Sequence, residues 1–62
     1  ACCFRYMSHR IPRRYISSAY VTNSMCTQPG VILVTKMGRE ICVDPQAPWV
    51  QEYLERFQIL KN

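Results

Sequence analysis

The sequence predicts an α+β domain: a three-stranded antiparallel β-meander, one C-terminal α-helix packed across it, and an irregular N-terminal loop stapled by disulfides. Three observations carry this. An adjacent cysteine pair, Cys2-Cys3, is answered by only two later cysteines, Cys26 and Cys42. The apolar run Val31-Ile32-Leu33-Val34-Thr35 is followed by a tight-turn signal and a second, alternating run. After Pro48, apolar residues recur at helical spacing.

The cysteines come first because they bound the rest. Neighbouring cysteines cannot easily bridge each other, since the small ring strains both the disulfide and the peptide between them. Each therefore reaches a distant partner, either Cys2–Cys26 with Cys3–Cys42 or the crossed alternative. At 62 residues the chain reads as one domain near the size where a core alone is marginal. Closing loops of roughly 25 and 40 residues stabilises by about 3–4 kcal/mol each in the loop-entropy model. Paired cysteines imply an oxidising, extracellular setting. No apolar stretch approaches the roughly 20 residues that span a bilayer. No signal-peptide pattern opens the sequence, which reads as a secreted protein in mature form.

Residues 1–17 hold the cysteine pair, a loop and a turn. Phe4 to Pro12 shows no sustained period, and Pro12 restricts Ile11 to extended geometry. Arg13 to Ser17 suits a turn of 3₁₀ helix, with Tyr15 and Ile16 expected to pack beneath it. The meander is expected over 18–43. Ala19-Tyr20-Val21-Thr22 is rich in strand formers, and Asn23-Ser24 closes it. Gln28-Pro29-Gly30 is a turn signal. The unbroken apolar run from Val31 marks the central strand. Met37-Gly38 makes a hairpin turn, and Arg39 to Val43 alternates as a half-buried strand.

The helix is expected over 48–61. Pro48 suits its first turn, where a missing N–H costs nothing. Trp49 or Val50, Tyr53, Leu54, Phe57 and Leu60 form its apolar face, with Gln51, Glu52, Glu55, Arg56 and Gln58 between them. Glu52 near its start and Lys61 at its end agree with the helix dipole. Such a helix is too short to stand alone and must lie on the sheet. Trp49, Tyr53 and Phe57 then read as core residues.

The order of these features resembles the CC chemokines. The supporting residues are C-C-x22-C-x15-C, Phe4 with Tyr6, Ile11-Pro12-Arg13, Tyr20 with Thr22, and Pro29-Gly30-Val31-Ile32. Further along come Thr35-Lys36, Gly38-Arg39, Cys42-Val43-Asp44-Pro45 and Trp49-Val50-Gln51. The resemblance covers essentially the whole chain and is greatest in detail to the macrophage-inflammatory-protein branch. It implies the interleukin-8-like fold, Cys2–Cys26 and Cys3–Cys42 pairing, and a secreted ligand of a seven-helix G-protein-coupled receptor on leukocytes, directing chemotaxis.

The resemblance also assigns sites. The loop after the cysteine pair docks on an acidic, tyrosine-sulfated receptor tail. Here that loop offers Phe4 and Tyr6 as aromatic anchors, Arg5, Arg10, Arg13 and Arg14 as sulfate partners, and Ile11 between them. His9 adds charge at lower pH. Glycosaminoglycans such as heparan sulfate are a second partner. Relatives carry a basic cluster on the second hairpin; here Lys36-Met37-Gly38-Arg39 keeps its ends, and Arg14 compensates. Ala47 and Gln51 stand where some relatives place cations. A chemokine-binding scavenger protein would use the same arginine-rich loop. Only Ala1 precedes Cys2, so the resemblance implies a weak agonist or antagonist and a monomer or weak homodimer. Ser18 and Gln58 replace the acidic residues of polymer-forming relatives, so no large polymer is expected.

Composition restricts the other classes. The net charge of +4 favours acidic partners, of which nucleic acid is not expected. His9 is the sole histidine, the cysteines are committed to disulfides, and Glu52 and Glu55 read as solvated charges, so no enzyme is expected. No C-x2-C knuckle suggests zinc and no phosphate-cradling glycine loop is present, so neither metal nor cofactor is expected. The alternative function is a cationic, membrane-active antimicrobial protein. Against it, the helix carries Glu52 and Glu55 against Arg56 and Lys61.

Overall fold

A computed structural model describes residues 2–57. The expectations for Ala1, Gln58, Leu60 and Lys61 fall outside those residues. A 3₁₀ turn at Arg13–Tyr15 leads into β1 (Ile16–Val21), followed by β2 (Val31–Thr35), β3 (Glu40–Val43) and the helix α1 (Pro48–Phe57). The strands form one antiparallel sheet in the order β1-β2-β3. The most apolar strand is central, as the unbroken run from Val31 predicts.

Strand β1 begins at Ile16, three residues earlier than its strand formers suggest. Ile16 pairs with Thr35, and a register shift between Ile16 and Ser18 lets the chain enter the sheet. Pairing against β2 overrides the weak strand preference of Ser17-Ser18, because strand preference mainly measures fit to a neighbour. Ile16 is buried, but Tyr15 does not pack beneath the turn. Its ring faces outward under the Arg14 guanidinium, 5.2 Å away, while its carbonyl accepts the Lys36 N–H at 2.8 Å. Thr22 falls just past β1, though its N–H still donates to the Gly30 carbonyl at 3.0 Å.

The second hairpin closes through Thr35. Its N–H donates to the Arg39 carbonyl at 2.8 Å, and its Oγ1 accepts the Arg39 N–H at 3.0 Å. Gly38 sits at φ +88°, a region L side chains rarely adopt, so this tip needs glycine. After β3, Asp44 Oδ1 accepts the Gln46 N–H at 2.8 Å and turns the chain toward α1. Glu52 lies in the second turn of α1, beyond the first-turn amides.

One core joins sheet and helix: Ile16, Ala19, Val31, Leu33, Val43, Val50 and Tyr53. Of the helix aromatics only Tyr53 is fully buried. Trp49 and Phe57 are half-buried at its flanks, with ring centroids 5.2 and 5.9 Å from that of Tyr53, both edge-on. Val50 takes the other buried helix position because a ten-residue helix presents only a narrow stripe to the sheet. The opposite sheet face is also covered. Tyr20, Ile32 and Cys42 are register partners on that face, and Cys42 is bonded to the fully buried Cys3. Cys2 is bonded to Cys26. The three methionines, Met7, Met25 and Met37, all stand outside the core.

Candidate functional site

The segment from Phe4 to Arg14 is fixed at four points. Cys3 holds its start. The Met7 N–H donates to the Cys42 carbonyl at 2.8 Å, laying the loop beside β3. The Tyr6 hydroxyl donates to the Pro29 carbonyl. Toward the far end, the buried Tyr53 hydroxyl donates to the Ile11 carbonyl at 2.6 Å. An irregular loop thus acquires a defined path without secondary structure of its own.

Held this way, the loop borders two open grooves on different sides. The first, about 590 Å³, lies between loop and sheet and is lined by Arg5, Tyr6, Met7, Ser8, Arg39, Glu40, Ile41 and Cys42. The second, about 810 Å³, lies between the 3₁₀ turn and α1. Its lining is Arg10, Pro12, Arg13, Arg14, Tyr53, Arg56 and Phe57: four cations and no carboxylate. The arginine-rich loop reads as one surface in sequence, but the fold divides it.

Each expected site residue has a definite place. Phe4 is 75% exposed and lines neither groove. Arg5 and Tyr6 border the sheet-side groove, where Arg39 of the hairpin joins them. Arg10, Arg13 and Arg14 border the helix-side groove. Ile11 turns inward and packs half-buried against the core. Lys36 follows β2, its backbone bonded to that of Tyr15, so it shares one end of the sheet with Arg14. Lys36 and Arg39 flank the hairpin tip, but Arg14 and Arg39 belong to different grooves.

Arg56 is the cation missed in sequence, where it reads as a solvated charge on the polar helix face. The available signal was its spacing: three residues after Tyr53, it lies on the same side of the helix. Arg10 is anchored from below. Its Nε donates to the Tyr53 hydroxyl at 3.4 Å, and its guanidinium carbon lies 5.8 Å from the ring centroid. The hydrogen bond to Tyr53 raises the Arg10 pKa above its ordinary value, with a smaller contribution from Glu52. On the far sheet face, burial raises the Tyr20 phenol above its ordinary range, and Glu40 adds to this by accepting its O–H at 3.5 Å.

Among the described residues no group of three His, Cys, Asp or Glu side chains could hold a metal ion. No described helix is long and apolar enough to cross a membrane. The arrangement gathers cations, Arg10 among them anchored on Tyr53, on open surfaces, which suits the capture of anionic groups.

A meander under a single helix, with a vicinal cysteine pair divided between two partners, defines a small disulfide-stapled binding module. The chain belongs to the small cytokine (intecrine/chemokine) family, interleukin-8 like, whose family model matches residues 1–57. Among curated relatives it is 46% identical over 59 residues to C-C motif chemokine 3 of Macaca mulatta and 49% identical to that of Rattus norvegicus. These matches cover 95% of this chain but only 64% and 63% of the relatives, so the chain spans less than two thirds of their length. The crystal structure of viral macrophage inflammatory protein-II superposes with a TM-score of 0.90 at 34% identity, covering all of this chain and 92% of that one. The fold is therefore that of a chemokine.

Proposed function

We propose that the protein is a secreted chemotactic ligand whose loop from Phe4 to Arg14 docks on the acidic extracellular tail of a seven-helix chemokine receptor on leukocytes. The observation that carries this reading is the Met7–Cys42 backbone bond. It lays the loop along β3 and sets Arg5, Tyr6 and Arg39 around one open groove. Guanidinium forks match the paired oxygens of sulfotyrosine or carboxylate, and exposed Phe4, next to the cysteine pair, supplies an apolar contact. Arg10, Ile11, Arg13 and Arg14 extend the docking surface around the loop. Glycosaminoglycan binding is the second activity in this reading, through Arg14, Lys36 and Arg39.

The test is a panel of cells each expressing one CC chemokine receptor, scored for displacement of a labelled ligand and for calcium flux. Displacement at one or two receptors, weakened about fivefold by Arg5→Ala, is the expected result. No displacement at any receptor overturns the docking reading. Flux measured alongside separates agonist from antagonist.

A further inference from the structure

One residue of the groove between loop and β3 runs against its cationic character. Glu40 lines it beside Arg5 of the loop and Arg39 of the hairpin. The Asp and Glu residues of the chain are Glu40, Asp44, Glu52 and Glu55, and none of the other three lines either groove bordering the loop. A carboxylate in a surface for an acidic tail weakens the attraction, because like charges brought together repel. Such a group is retained either for the fold or for selectivity.

The fold makes little use of it. Glu40 is the exposed first residue of β3, and its register partner across the sheet is the uncharged Val34. Its Oε2 accepts the Tyr20 hydroxyl at 3.5 Å, a long bond that reaches from β1 over the central strand. That bond engages one carboxylate oxygen and restricts where the other can lie. The groove therefore presents two guanidiniums and one positioned anion. A tail acidic along its whole length meets the anion as well as the cations. A tail with a lysine or arginine beside its sulfotyrosine satisfies all three. We infer that Glu40 is a specificity-determining residue of this groove, selecting a segment in which a cationic side chain stands next to the sulfotyrosine, with Tyr20 as the positioning residue behind it. This rests on the docking reading of the same groove and names the chemistry of the tail that it accepts.

The test is fluorescence anisotropy with two short labelled peptides, each carrying one sulfotyrosine, flanked by glutamates in one and by lysines in the other. The quantity read is the ratio of their affinities for each variant. The native chain binds both. Glu40→Gln shifts the ratio about fivefold toward the glutamate peptide. Glu55→Gln changes the net charge equally from a separate groove on the helix and leaves the ratio where it was. Tyr20→Phe keeps the carboxylate but frees it, and shifts the ratio about twofold in the same direction as Glu40→Gln. Unaltered melting temperatures in both glutamine variants show that the fold is intact. An unmoved ratio in Glu40→Gln, or an equal shift in Glu55→Gln, overturns the selectivity and leaves docking standing. An unmoved ratio in Tyr20→Phe overturns the positioning role. Binding of neither peptide by the native chain overturns the docking reading and this inference with it.

Discussion

The two disulfides start from adjacent residues and end in different environments. Cys3 is wholly buried and its bridge to Cys42 covers the sheet face at Ile32, whereas Cys2 is exposed and its bridge to Cys26 clamps a surface turn. Their sequence separations, 39 and 24 residues, make loop entropy nearly equal: about 3.9 against about 3.5 kcal/mol. A difference of about 0.4 kcal/mol cannot distinguish them. Burial can, because Cys3 is also a packing residue: a Cβ on Gly30 would lie 2.8 Å from both its Cβ and its Sγ. In this fold one bridge is part of the core and the other is a clasp on its surface.

That contrast orders the expected stability effects. Cys3→Ala with Cys42→Ala removes loop closure and opens a void, a combined loss of about 5 kcal/mol, on the scale of the whole stability of so small a domain. Circular dichroism should show no cooperative melt. Cys2→Ala with Cys26→Ala loses loop closure only, about 3.5 kcal/mol, and a folded but weakened domain should remain in urea titration. Equal losses in the two double variants would erase the distinction. Gly30→Ala should cost about 2 kcal/mol by forcing Cys3 to shift, read as a lowered melting temperature. An unchanged melting temperature would mean that the Cys3 packing is loose.

Smaller changes probe what holds the loop away from its cysteines. Tyr53→Phe strips the Ile11 carbonyl and Arg10 of their shared partner and should cost about 1 kcal/mol. Faster hydrogen exchange should then appear near Arg10–Arg13 and not at the cysteine pair. Smallest of all is the titration of Tyr20, on the sheet face of the buried bridge. Burial first, then Glu40, raises its pKa above 10.0, so the neutral phenol is the favoured native form. Its contribution to stability is complete below pH 10 and fades as pH rises through the raised value. Absorbance titration near 295 nm should show a late-ionising component that Tyr20→Phe removes, and Glu40→Gln should remove only part of the delay.

The fold was legible to different depths along the chain. The central strand, the Gly38 hairpin and the helix from Pro48 follow from runs and periods that depend on near neighbours. The disulfide pairing does not: residue chemistry leaves two arrangements open, and only resemblance to relatives chose between them before the structure did. The start of β1 was hidden because Ser17-Ser18 has no strand signal of its own and takes its conformation from β2. The sites were less legible still. Arg5 and Arg10 are five residues apart and read as one cationic loop, yet bonds from Met7 and Ile11 to β3 and α1 send them to different grooves. Arg56 was harder to read for the converse reason: its spacing from Tyr53 sets its side of the helix, but nothing local links it to the 3₁₀ turn.

The placement of the methionines bears on survival in oxidant-rich tissue. Peroxide converts accessible thioethers to polar sulfoxides, which damages a protein whose core depends on them. Here all three are surface groups, while the described core is built of aliphatic residues, Tyr53 and a bonded Cys3. Peroxide treatment should add oxygen atoms by mass and leave the melting temperature unchanged. The same oxidant keeps both bridges closed, so the chemistry that disables many neighbouring proteins leaves this scaffold standing.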